Sequence, residues 1–307
     1  MTQGVPLPRG IIGVVQTPFD ARGALDESSL ERLVESAVRG GASGLLAPAV
    51  ASEVAALTAA ERERVLTLVL STAAGRLPVI AGASSDDWED CVRHGRAAAA
   101  RGASAYLVAV PAGIYAAPES AVAWFAQIAA QVELPLMVQD LEWNGSGLPV
   151  ALIAEMAAKI PTLSGVKIET VPAGPKYTHV REALGAAFFI GGGWAVPQMI
   201  EALDRGVDAL MPECSMIPVY ARIHRLYESG ERERALAVFR RLLPVLAYSN
   251  QELRTSIAFF KRLLVRKGIF ATEAMRGQPF MWDAHNERIA AELIELYLEL
   301  ERAEARL

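Results

Sequence analysis

A closed (β/α)8 barrel with a C-terminal helical extension is the fold class this sequence predicts, and three observations carry it. Eight short apolar runs with strand character each precede a longer helical candidate, the alternation that builds parallel α/β sheets. The chain has 307 residues, enough for one barrel of about 250 residues and an appendage. From about Gly230 onward, helical stretches follow one another with no strand between them. An open doubly wound sheet is the alternative. The glycines Gly191, Gly192 and Gly193 follow a strand but lack the GxGxxG spacing of a dinucleotide site, and eight regular units favour closure.

The strand runs begin at Ile11 (IIGVVQTPF), Gly44 (GLLAPAV), Pro78 (PVIAGA), Ala105 (AYLVAV), Leu134 (LPLMVQ), Leu163 (LSGVKIE), Phe188 (FFIGGG) and Val207 (VDALMP). The first helix is expected from Asp26 to Arg39, because Leu30, Leu33, Val34, Ala37 and Val38 recur on one face. Gly40 and Gly41 end it. The second opens on Thr58 and Glu61, a capping-box spacing, and stops at Gly75. Helices are then expected over Asp86 to Ala100, Glu119 to Gln131, Val150 to Lys159, Tyr177 to Leu184, Val196 to Arg205 and Pro218 to Ser229. The tail reads as Glu231 to Tyr248, Gln251 to Lys267 and His285 to Leu307. The domain reading is therefore a catalytic barrel over residues 1–229 and a helical extension over 230–307 that packs on it.

Composition narrows the function classes. Hydrophobic residues make up 52% and charged residues 21%, which supports a large core and argues against disorder. The net charge of −5 shows no basic surplus for nucleic acid. Two cysteines, Cys91 and Cys214, sit in no metal-ligand or disulfide spacing, and His94, His179, His224 and His285 are scattered. The uncharged run from Gly102 to Pro118 contains Gly113 and Pro111 and is short for a membrane span. No basic region followed by an apolar stretch opens the chain. A cytoplasmic protein without membrane or nucleic-acid partners is expected.

Barrel chemistry sits at the C-terminal ends of the strands. Among five lysines, Lys167 alone falls within a strand run. Alternation puts Lys167 and Glu169 on one face and Val166 and Ile168 on the other. The apolar pair suits the layer under the helices, so Lys167 and Glu169 point inward, with backbones about 7 Å apart. An amine withdrawn from water is costly to keep charged, and the neutral amine is a nucleophile that forms Schiff bases with ketones. A plain buried ion pair with Glu169 is the competing reading, as is a solvent-facing strand end. Gln139 ends the fifth strand run and can orient a water or a substrate oxygen, but it cannot shuttle protons. Asp140 is a base or a turn residue. Ser52, Ala51, Gly192, Trp194 and Tyr115 lie in runs or loops at the same end and are candidates for substrate binding, together with Asp140. Ser52 and Glu53 equally suit the satisfaction of loop backbone groups, and Trp194 and Tyr115 suit packing.

Several motifs together carry a resemblance: Thr17-Pro18-Phe19, Ser52-Glu53 ahead of the Leu57–Arg62 run LTAAER, PVIAG from Pro78 to Gly82, and Gly165-Val166-Lys167. Over nearly its whole length the chain resembles the Schiff-base lyase superfamily of dihydrodipicolinate synthase and N-acetylneuraminate lyase. The resemblance implies a (β/α)8 barrel with a helical extension, Lys167 as the Schiff-base lysine, no metal or organic cofactor, and a homo-oligomer, a tetramer or dimer. It also exposes departures. The family's Gly-Thr-Thr-Gly-Glu motif is Ala49-Val50-Ala51-Ser52-Glu53 here, without threonine hydroxyls. Its Tyr-Asn-x-Pro motif is Gln139-Asp140-Leu141-Glu142, and the arginine of the synthases is absent from Trp143–Gly147.

One branch is more similar. PLMVQD from Pro135 to Asp140, VKIET from Val166 to Thr170, Ser52-Glu53 and Trp194 resemble L-2-keto-3-deoxyarabonate dehydratases. That likeness implies catalytic roles for Gln139, Lys167 and Glu169. The loop around Val50, Ala51 and Tyr115 departs from the branch. The expected reaction is dehydration of a 2-keto-3-deoxy sugar acid. A pyruvate-dependent aldolase acting on another acceptor is the alternative, and a non-catalytic sugar-acid binding protein is a third reading.

Overall fold

The computed structural model describes residues 7–194, 197–277 and 280–306. Eight parallel strands close into a barrel in sequence order, a (β/α)8 or TIM barrel. They are β1 (Gly10–Val14), β2 (Gly44–Ala47), β3 (Val79–Gly82), β4 (Ala105–Ala109), β5 (Leu136–Glu142), β6 (Leu163–Thr170), β7 (Phe189–Gly192) and β8 (Ala209–Leu210). Gly10 against Ala209 closes the ring. The longest pairing joins β5 and β6, from Leu136 opposite Leu163 to Glu142 opposite Thr170. These two strands therefore project furthest towards the C-terminal mouth.

The helices among the described residues are α1 (Glu27–Gly40), α2 (Ala59–Ala73), α3 (Trp88–Ala100), α4 (Ala112–Ala116), α5 (Ala121–Ala129), α6 (Val150–Lys159), α7 (Gly174–Leu184), α8 (Met199–Asp204), α9 (Ile217–Glu228), α10 (Arg232–Ser249), α11 (Leu253–Arg266) and α12 (Ala284–Glu304). The sequence rules fix most ends. Asp26 caps α1 by accepting from the Ser29 N–H at 3.0 Å, and Gly41 ends it in the left-handed region. Thr58 and Glu61 form the expected reciprocal box at the start of α2. Asp87 caps α3, which starts two residues later than expected. The start of α7 lies at Gly174 rather than Tyr177, because Pro175 is compatible with a first helical turn. The short α4 has no counterpart among the expected helices. The expected helix start at Val196 and the expected end at Leu307 lie outside the described residues.

Two cores follow from strand alternation. Ile12, Leu46, Ile80, Leu107, Met137 and Phe189 fill the barrel interior. Val166 and Ile168 join the larger layer between strands and helices, as their parity predicts. The tail packs on the barrel: α10 lies against α9 and α12, and α11 against the turn Cys214–Met216 that follows β8. Leu242, Val245, Leu246, Leu263, Leu264 and Phe260 are buried in that contact, each contributing roughly 1.5–3 kcal/mol by leaving water. A buried ion pair between Lys261 of α11 and Glu53 of the β2 loop fastens the extension to the mouth. Arg276 reinforces it, giving its backbone N–H to Glu53 at 2.9 Å and pairing with Glu61 at 2.6 Å.

Candidate active site

Lys167 and Glu169 point into the mouth of the barrel as their spacing on β6 requires. Their long side chains close the backbone gap, and Nζ lies 3.0 Å from Oε1, with the two side chains 5% and 6% exposed. Gln139 sits level with Lys167 on the neighbouring strand. Its Nε2 donates to Oε2 of Glu169, while its own Oε1 is buried with no partner. The Trp194 N–H donates to the other Glu169 oxygen at 2.8 Å. Gly193 leaves room for this carboxyl, since a Cβ there would overlap it. The glutamate is thus fixed from three sides next to the amine, and one oxygen of the glutamine remains free to meet a ligand.

These residues line a narrow cavity of about 50 Å³. Val14 and Glu213 form the wall at β1 and β8, Ala49, Val50 and Ala51 that at the β2 loop, and Asn250, Leu253, Ser256 and Phe260 that of the extension. Lys167 is the only cation in this lining among the described residues. Trp194 takes a positive φ of 52° and stacks on Trp143 with ring centroids 4.8 Å apart. A non-glycine residue pays about 1–3 kcal/mol for such a backbone, a strain that clusters at functional sites. The two tryptophans, with Glu169, Asn250 and Leu253, also line an outer cavity of about 680 Å³. The tryptophan pair therefore forms part of the partition between the reactive cavity and a wider vestibule.

The other sequence candidates separate. Ala51 and Trp194 line the cavity. Ser52 does not: its hydroxyl donates to the Val15 carbonyl at 2.5 Å and accepts from the Ala49 N–H at 2.9 Å, so it shapes the loop. Gly192 does not line it either. Its missing Cβ faces the Tyr177 hydroxyl, on the helix side of β7. Asp140 has the opposite parity to Gln139 and is fully buried behind the strand. There it takes hydrogen bonds from the Tyr115 hydroxyl at 2.9 Å and the Leu148 N–H at 3.1 Å, and pairs with Lys176. Burial pushes the Lys176 amine down, opposed by the Asp140 charge. Burial and then the Asp140 charge push the Tyr115 hydroxyl up, so it stays protonated and donates. Asp140 and Tyr115 meet each other and not the cavity, because a strand offers alternate residues to opposite faces. Among the described residues, no group of three His, Cys, Asp or Glu is placed to hold a metal.

Sequence reasoning missed Glu213 and the extension's wall. Glu213 follows β8 and keeps its alternation: Ala209 and Met211 lie in the inner core and Leu210 in the outer one. Val14 bridges to Glu213 in parallel fashion, carrying the inward face up to the mouth. That parity was readable in DALMPE. For Asn250, Leu253, Ser256 and Phe260 no local signal existed, because helix docking alone brings them over the barrel.

Comparison with known proteins agrees with this fold. The profile of the Dihydrodipicolinate synthetase family matches residues 7–292. The chain belongs to that family. An L-2-keto-3-deoxyarabonate dehydratase of Azospirillum brasilense is 28% identical over 281 residues, covering 90% of each protein. A 4-hydroxy-tetrahydrodipicolinate synthase of Rhizobium meliloti is 28% identical over 239 residues, 77% of this chain and 81% of that one. The structure of the 4-hydroxy-tetrahydrodipicolinate synthase of Methylacidiphilum fumariolicum superposes with a TM-score of 0.89 at 20% identity, covering 97% of this chain and 98% of that one, which establishes the common fold. The protein is thus a lyase of the dihydrodipicolinate synthetase family.

Proposed function

We propose that this lyase dehydrates a 2-keto-3-deoxy sugar acid, with L-2-keto-3-deoxyarabonate as the type substrate. The observation that carries the reading is the trio of Lys167, Glu169 and Gln139 around one cavity. Lys167 attacks the C2 ketone, and loss of water gives a protonated Schiff base that acidifies C3. Glu169, beside the amine, takes the C3 proton. The enamine expels the C4 hydroxyl, and hydrolysis later frees Lys167. With five carbons, loss of a C5 hydrogen and return of one to C3 leaves an enol that becomes 2-oxoglutarate semialdehyde.

Retro-aldol cleavage instead needs a base for the C4 hydroxyl. Gln139 supplies an amide there, which does not accept a proton, and no tyrosine lines the cavity among the described residues. We also read the protein as a cytoplasmic homo-oligomer, tetramer or dimer, working on a small 2-keto acid without metal or organic cofactor. The family resemblance supports that reading, and no described helix is long and apolar enough to cross a membrane. Incubation with L-2-keto-3-deoxyarabonate tests the reaction. The expected outcome is semialdehyde without pyruvate, lost in Lys167→Ala. Pyruvate as the product would reassign the protein to the aldolases.

A further inference from the structure

Glu213 is an ionisable group of the cavity that the reaction above leaves without a task. It is 5% exposed. Its Oε2 accepts from Gln16 Nε2 at 2.9 Å and from the Ser215 N–H. Gln16 cannot turn over, because its own Oε1 takes the Cys214 N–H at 3.1 Å. Both hydrogen bonds therefore converge on one carboxyl oxygen. The other, Oε1, is buried with no partner, in a residue that lines the cavity opposite β5. Burial pushes this carboxyl up, against the hydrogen bonds from Ser215 and Gln16 and the charge of Lys267. The remaining titratable neighbours, Cys214, Tyr220 and Tyr297, are themselves driven up by burial and add no cation. Because Oε2 is occupied as an acceptor, a proton taken up by this carboxyl sits on the free Oε1.

Lys167, Glu169 and Glu213 are the ionisable residues of this lining among those described. Of the other polar side chains in it, Gln139 Oε1 and Asn250 Oδ1 are amide acceptors with no proton to give, and the Ser256 hydroxyl is a far weaker acid than a carboxyl. A ligand bound through C2 to Lys167, with C3 served by Glu169 on the same strand, must extend away from β6. The wall of β1 and β8, which carries Glu213, lies on the route open to its next oxygen in so narrow a cavity.

We propose that Glu213 is the acid of this site, donating from Oε1 to the oxygen on the fourth carbon of the bound keto acid and protonating it as it leaves. The proposal rests on the dehydratase reading. The C3–H pair becomes the C2–C3 double bond of the enamine as Glu169 takes the proton. That pair then forms the C3–C4 double bond while the C4–O bond breaks, and the oxygen departs as water with the Glu213 proton. The Glu213 carboxylate next takes a proton from C5, and Glu169 returns its proton to C3. Both acids are reset, and the net loss is one water. The two carboxyls divide the work as environments of different polarity divide it in acid–base pairs.

The test uses borohydride trapping and semialdehyde release side by side, with L-2-keto-3-deoxyarabonate and with 2-oxopentanoate, which has the same carbon chain and no hydroxyls. Glu213→Gln is expected to trap 2-oxopentanoate within about three-fold of the parent and to lose dehydration by about 100-fold or more, the range of a lost general acid. Dehydration within three-fold of the parent would overturn the proposal. If E213Q does not fold, Gln16→Met, which leaves the carboxyl and removes the amide that holds it, decides between the outcomes. Trapping as in the parent with dehydration reduced at least ten-fold supports the role, and parent-like dehydration refutes it. A parent that traps the sugar acid but never dehydrates it refutes the dehydratase reading, and the acid with it, before any variant is made.

Discussion

Lys167 and Glu169 show what residue parity alone conveys. Their separation by one residue in a strand fixes a shared inward face, and the flanking Val166 and Ile168 identify which face that is. The structure forms the ion pair, one of the competing readings in the sequence, and that pair is compatible with the proposed reactive amine: a glutamate 3.0 Å from the amine is also within reach of the carbon next to an imine on it. Glu169→Gln is therefore expected to keep imine formation with pyruvate while slowing exchange of its C3 hydrogens with deuterated water by about 100-fold or more. Exchange at the parent rate, followed by proton NMR, would move the base elsewhere. Asp140 and Tyr115 mark the limit of residue-level reading. Asp140 is the chain neighbour of Gln139, yet its opposite parity sends it behind the strand, where Tyr115 meets it.

At the scale of elements, the barrel was legible because its two periods are local. Apolar runs of strand length and faces recurring at helical spacing need no partner to be recognised. The extension was legible as helices but not as part of the site. Which of its faces meets the mouth depends on docking, and the tie that sets it joins residues 208 positions apart, Glu53 and Lys261. The Lys261 amine also donates to the Ala274 carbonyl at 2.7 Å and lies 4.5 Å over the Phe19 ring. Burial pushes this amine down, and Glu53 opposes the shift. Removing one member of such a pair strands a buried charge at a cost of about 3–5 kcal/mol. Lys261→Met should lose about that much in urea unfolding, and the double variant with Glu53→Gln should recover a good part of it. A single-variant loss below about 1 kcal/mol would show that the pair does not hold the extension.

For the whole molecule, closure of the barrel determines where chemistry can occur. Strands from different parts of the chain converge on one mouth, so a lysine on β6, an amide on β5 and a carboxyl after β8 face a single cavity. The extension covers that mouth with Asn250, Leu253, Ser256 and Phe260, and Trp143 and Trp194 line both this cavity and the outer vestibule. The fold reading extended to the whole chain because each βα unit repeats one pattern. The site reading reached the strand ends of β5 and β6, Trp194 and the β2 loop at Ala51, and it missed the wall of the extension because that wall meets the barrel only after folding. The central claim is that Lys167 forms a Schiff base with a 2-keto acid. The most direct measurement is borohydride reduction in the presence of L-2-keto-3-deoxyarabonate or pyruvate, followed by peptide mass spectrometry. The account predicts a ligand-sized mass increase on the peptide carrying Lys167, absent in Lys167→Ala. An unmodified Lys167 peptide with both ligands, or an adduct confined to Lys176 or Lys261, would contradict it.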